Sequence, residues 1–197
     1  MNKILLALLV SAMPLLSSAN TLVFNNTTAI TFSNFDVSIG TSTVNSGSFG
    51  KFTTTGSGNG ILTASYIGKE AGYVNFYFDP YSTMGAMTGA SVSQIIDGAG
   101  TVSFGFKTNN GSGDAGVFNN GDAQTAVLGY AVLNTTGYTG YDFVLGFNDF
   151  YPSDADYDDL VVGFKYTELV PVPASLPLMV SALGLFGFGV SRKRAQK

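Results

Sequence analysis

The residues best equipped for chemistry crowd into one stretch, Asn148-Asp149-Phe150-Tyr151-Pro152-Ser153-Asp154-Ala155-Asp156-Tyr157-Asp158-Asp159-Leu160. It holds five aspartates, Asp149, Asp154, Asp156, Asp158 and Asp159, and no base; no Lys or Arg occurs between Lys107 and Lys165. Asp154, Asp156 and Asp158 stand at i, i+2 and i+4, a spacing that in a loop turns alternate side chains toward one point. Calcium takes about six to eight oxygen ligands, so carboxylates in this pattern point to calcium as a cofactor. Without a cation they repel one another, which raises some pKa values and loosens the loop. The other reading is a solvated acidic turn that keeps one sheet end soluble. The spacing is not that of an EF-hand. Counted from Asp154, the sixth position is Asp159 rather than Gly, and the twelfth is Lys165 rather than Glu.

Composition narrows the rest. The chain has 197 residues with no His, Cys or Trp. The lack of Cys removes disulfides, thiolate zinc sites and cysteine nucleophiles. The lack of His removes the usual general base and the commonest metal ligand, so any metal must be held by oxygen. Only Glu70 and Glu168 are glutamates, and many of the aspartates sit in one loop, which argues against a glycosidase-type pair of carboxylates. No set of nucleophile, base and oxyanion donors emerges, and the chain is expected not to be an enzyme. Ser48-Phe49-Gly50-Lys51 fits Ser-x-x-Lys, but the Ser-Asp-Asn and Lys-Thr-Gly partners of that acyl-transfer site are missing.

The elements that position the acidic loop read as strands. Charged residues make up 11% and aromatics 13%, with 25 glycines, which suits many short strands joined by tight turns rather than disorder. Four windows alternate with period two. Val74, Phe76 and Phe78 oppose Tyr73, Asn75, Tyr77 and Asp79. Val102, Phe104 and Phe106 oppose Thr101, Ser103 and Lys107. Tyr141, Phe143, Leu145 and Phe147 oppose Asp142, Val144 and Asn148. Leu160, Val162, Phe164 and Tyr166 oppose Val161, Gly163 and Lys165. Each predicts a half-buried strand. Tyr73 and Tyr77, placed on a solvent face, would be able to stack on sugar rings. Between Phe32 and Phe35 the apolar parity slips, which predicts a β-bulge. Asp114, Asn119, Asn120 and Asp122 form either a second oxygen site or a polar hairpin end. The fold class is all-β, and about nine strands in 150 residues predict a jelly-roll-like antiparallel β-sandwich, with a barrel as the other closure.

Both ends read as targeting segments. Met1 to Ala19 has a basic n-region at Lys3, an apolar stretch from Ile4 to Leu16, and Ser17-Ser18-Ala19 before a cut between Ala19 and Asn20. At the other end, Val170 to Ser175 is Pro-rich, Leu176 to Val190 is an uncharged apolar run, and Arg192, Lys193 and Arg194 follow. Fifteen helical residues span about 22 Å, short of the roughly 30 Å hydrocarbon core, and three glycines weaken that helix further. The run is thus a marginal anchor whose basic end stays cytoplasmic. The domain between, 20–169, keeps Lys51, Lys69, Lys107 and Lys165 against all 13 acidic residues, a net charge of −9. That charge excludes electrostatic nucleic-acid binding as a default.

The C-terminal tail, 170–197, resembles the PEP-CTERM sorting signal of Gram-negative bacteria. The matching residues are Pro171-Val172-Pro173-Ala174, the apolar run, and Arg192-Lys193-Arg194. Val172 stands where the family's name has Glu, as in its Val-Pro-Leu-Pro-Ala variants. The resemblance implies a partner, an exosortase (a membrane transpeptidase) that cuts near the motif. It further implies a transient stay in the inner membrane, then a place at the cell surface or outside the cell, in association with exopolysaccharide. A single-span anchor that is never cut is the alternative. Separately, Gly146-Phe147-Asn148-Asp149 and Asp156-Tyr157-Asp158-Asp159-Leu160-Val161-Val162 resemble a calcium-associated β domain of bacterial surface proteins. In that family Glu stands at the position of Asn148 and Asn at that of Asp158. The function expected from all this is a calcium-stabilised structural protein of the cell surface or extracellular matrix. A carbohydrate-binding module or adhesin is the second expectation, and a polysaccharide-acting enzyme the third.

Overall fold

The computed structural model describes residues 18–32, 34–40, 43–70, 72, 74–109, 116–124, 128–135, 138–149 and 156–169. Met1 to Ser17 (most of the signal peptide expected over Met1 to Ala19), Tyr73, Asp114 and Asp154 lie outside them, as does the expected sorting tail Val170 to Lys197 with its motif residues Pro171, Val172, Pro173, Ala174, Arg192, Lys193 and Arg194. The cut expected between Ala19 and Asn20 lies one residue inside the compact unit Ala19–Leu169.

The protein is all-β, and every strand pairing is antiparallel. Twelve strands occur among the described residues: β1 (Thr21–Thr31), β2 (Ser46–Thr55), β3 (Asn59–Gly68), β4 (Val74–Phe78), β5 (Thr83–Gly85), β6 (Ser91–Asp97), β7 (Gly100–Thr101), β8 (Gly105–Asn109), β9 (Val117–Asn119), β10 (Leu128–Leu133), β11 (Phe143–Asp149) and β12 (Leu160–Leu169). The larger sheet runs β1-β2-β10-β11-β12-β3-β6, and the smaller runs β5-β4-β8-β9. The short β7 also pairs with β2, through Thr53↔Thr101 and Thr54↔Gly100. It follows β6 after two residues, so the larger sheet curls until its β6 side meets β2. Asn20 pins that closure, its Nδ2 donating to Gly58 O at 2.8 Å and Gly98 O at 3.0 Å.

The core between the sheets is aromatic. Phe52, Tyr77, Phe106, Tyr130, Phe147 and Phe164 are fully buried. Phe106 stacks on Phe147 at 4.9 Å between centroids, and Phe164 meets Phe104 edge-on at 5.0 Å. Such geometries follow from the ring quadrupole. Burial alternates through Val102, Phe104 and Phe106 against Thr101, Ser103 and Lys107, but the window is not the single strand expected: Val102 to Phe104 lie between β7 and β8.

Three expectations need correction. Tyr77 is not on a solvent face: it is fully buried against Phe104, Phe106 and Phe164, and burial drives its hydroxyl pKa upward. It offers nothing to a sugar. Second, the parity slip after Phe32 is no bulge. β1 ends at Thr31, and the chain leaves the sheet through Asn34 at φ 65°. The bulge lies earlier in β1, between Asn26 and Thr28. Third, β11 and the start of β12 are not half-buried. After Phe143 every residue of β11 is buried, as are Leu160 to Phe164. The reason is a second cluster on the back of the larger sheet, where Ile39 and Val44 cover Ala131, Leu133, Val144 and Val161. Strands covered on both faces lose the apolar–polar alternation.

Candidate functional site

The acidic residues gather where β11 ends and β12 begins. Asp149, Asp156, Asp158 and Asp159 are 2%, 6%, 0% and 5% exposed. A solvated acidic turn is therefore the wrong description of these four, which are held inside the protein.

They serve opposite faces of the larger sheet. On the front, Asp149 and Asp159 tie the hairpin end to the smaller sheet. The Asp149 backbone N–H donates to Asp159 Oδ2 at 2.8 Å. Asn75, buried in β4, donates through Nδ2 to Asp149 Oδ2 at 2.8 Å and to the Asp159 carbonyl at 3.2 Å. One amide thus joins two sheets and both ends of a hairpin.

On the back, Asp158 holds the covering segment. Its Oδ2 accepts the backbone N–H of Asp36, and its carboxyl also takes that of Val37. Its carbonyl accepts from Glu70 N at 2.9 Å. The Asp156 side chain lies beside that of Asp158. Tyr157 between them has a left-handed backbone, φ 62°. Its carbonyl lies against Gly146, where any Cβ would collide with it. Gly146 is therefore required by this close approach. Rings of Phe32 and Phe49 flank Tyr157, each at 5.7 Å, and burial pushes its hydroxyl pKa up to about 12.

Burial pushes the Asp158 carboxyl upward, and the nearby Glu70 charge adds to the rise. Asp158 therefore keeps its proton to a higher pH than an ordinary aspartate does. Among the described residues no three acidic side chains converge closely enough to hold a metal by themselves. Of the aspartates at i, i+2 and i+4, Asp156 and Asp158 are described, and Asp154 lies outside the described residues.

This sets a pH dependence. The folded protein holds the Asp158 proton more tightly than the unfolded chain does. Its contribution to stability is complete below the ordinary aspartate pKa of about 3.9 and is lost as pH rises through the higher folded value. In chelator, the urea midpoint is expected to fall as pH rises through that window. Asp158→Asn keeps an oxygen acceptor for Asp36 but has no proton to lose, so it is expected to flatten the profile. Equal slopes in the two proteins would refute the assignment.

The other polar cluster is structural. Asp122 Oδ2 accepts from Asn119 N at 2.7 Å and Asn119 Nδ2 at 3.0 Å, closing a tight turn. Asn120 points inward and acts as a strand partner for Phe52, accepting from its N–H and donating to its carbonyl, both at 2.9 Å. The sequence reading missed Asn75 and Asn120 as structural clamps. The signal for Asn75 was its parity with Tyr77, opposite to Val74 and Phe76.

No protein-family model, curated protein or solved structure matches this chain.

Proposed function

We propose that this protein is an exported structural component of a bacterial cell surface or its polysaccharide matrix, built as a jelly-roll-type sandwich and stabilised by calcium. In this reading Met1 to Ala19 directs export. The apolar run Leu176 to Val190 holds the chain briefly in the inner membrane. A membrane transpeptidase of the exosortase kind then cuts near Pro171-Val172-Pro173-Ala174. The observation that carries the proposal is the three-part order of the tail, motif, apolar run and Arg192-Lys193-Arg194. The buried aspartates add to it, because a calcium ion in the loop would lock the hairpin end to both faces of the sheet. The reading includes no catalysis. Asp149, Asp158 and Asp159 are engaged with Asn75 and with backbone N–H groups.

The test is the intact mass of the protein recovered from its own cells, separated into membrane, surface and medium. A mass starting at Asn20 and ending between Val170 and Ser175, alone or with an added group, is expected in the surface fraction. A mass running to Lys197, found only in the inner membrane, would make the tail a plain anchor and overturn the sorting step.

A further inference from the structure

A cleft of ≈ 400 Å³ opens where β1 and β2 face the turn after β9. That volume lies within the range of about 300–1,000 Å³ typical of small-molecule sites. Its lining includes Asn25, Asn26, Thr28, Lys51, Asp122 and Gln124. From Asn25 to Ala29 five consecutive residues of β1 are exposed. The bulge between Asn26 and Thr28 falls in their midst. Bulges re-aim side chains and recur beside binding sites.

We infer that this cleft binds a neutral, hydroxyl-rich saccharide. The chemistry of the walls selects that class. A planar amide presents a donor and an acceptor side by side, which matches a pair of adjacent sugar hydroxyls. One cation and one carboxylate cancel, so the cleft has no net charge with which to prefer an ionic ligand. A net charge of −9 over 20–169 disfavours nucleic acid there. An extended peptide adding to the β1 edge would need an unbroken row of backbone groups, and the bulge interrupts it. The walls also hold unused hydrogen-bonding capacity. Gln124 Oε1 accepts from Tyr130 N at 3.0 Å and Asn25 Nδ2 donates to Thr53 Oγ1 at 2.8 Å, so the capacity lies with the exposed side chains of Asn26 and Thr28. Lys51 forms no ion pair among the described residues; the pair they contain is Lys165–Asp142. The inference rests on the surface reading above for the presence of polysaccharide around the protein, and on the cleft alone for the ligand class.

The test uses protein purified from its own cells and native gels cast with neutral polysaccharides (dextran, starch, a β-1,3-glucan, a galactomannan), with alginate as the acidic comparison. Retardation in at least one neutral gel is expected. The double variant Asn26→Ala/Thr28→Val, at two exposed positions, is expected to bind about tenfold more weakly or worse, with its melting temperature unchanged. Tyr81→Ala, which truncates a ring 76% exposed and outside the cleft, is expected to bind as the parent does. Three results would overturn the proposal: no retardation in any neutral gel, retardation in alginate alone, or retardation lost in Tyr81→Ala but kept in the double variant. None of them changes the mass that tests sorting, so the two readings fail separately.

Discussion

Calcium added to metal-stripped protein at about 100 times its dissociation constant is expected to stabilise the fold by about 2.7 kcal/mol. For a chain of this size that raises Tm by about 5–10 °C. The site would draw on Asp156 and Asp158, with Asp154 and loop carbonyls completing the oxygen set. The gain is expected to vanish in Asp156→Asn/Asp158→Asn, which keeps side-chain acceptors but removes the charge that attracts the ion. Magnesium is expected to do much less, because it is smaller, demands octahedral geometry and gives up water reluctantly. The gain also depends on pH. A proton on Asp158 competes with the metal, so the shift shrinks in acid. A Tm unmoved by calcium at neutral pH, with the double variant equally indifferent, would leave Asp158 as a hydrogen-bonding latch for the 36–37 segment and remove calcium from the proposed function.

Asn75→Leu is expected to cost about 2–4 kcal/mol, a drop of about 5–15 °C in Tm. Leucine nearly matches asparagine in size, so the loss is not one of volume. It comes from taking the amide donor away from a carboxylate that is 2% exposed and from a neighbouring carbonyl. The same change at Asn25, exposed on β1, is expected to stay within about 0.5 kcal/mol. A loss below about 1 kcal/mol at position 75 would mean that the aromatic packing alone fixes how the sheets meet.

The two windows that gave β11 and β12 were legible because their apolar residues recur at every second position, whatever lies on the other face. What covers the other face was not legible. Val144 and Val161 read as outward-facing, and only the return of Ile39 and Val44 across the back of the sheet makes them core. That contact joins residues more than a hundred positions apart, with no local periodicity to announce it. Tyr77 failed for a related reason. Phe76 and Phe78 are more apolar, yet Asn75 and Tyr77 take the inner face, where Asn75 reaches Asp149 and the Tyr77 ring packs on Phe104, Phe106 and Phe164. Parity fixed the two sets but not which was inside. The acidic stretch was legible as a cluster, and its aspartates do collect at one end of the hairpin. Their division between two faces was not, since it depends on the left-handed turn at Tyr157 and on partners in β4 and the 36–37 segment.

The placement of β12 has a mechanical consequence. Its ten residues lie between β11, with five paired positions, and β3, with nine. The proposed sorting tail follows directly from Leu169, the last residue of β12. A cell-surface protein held by that tail would take a pull through this strand first. Force along the strand shears both ladders at once, so many hydrogen bonds share the load before any can break. The same pull on an edge strand such as β1 would be resisted on one side only. The chain is thus braced at the end from which it would hang.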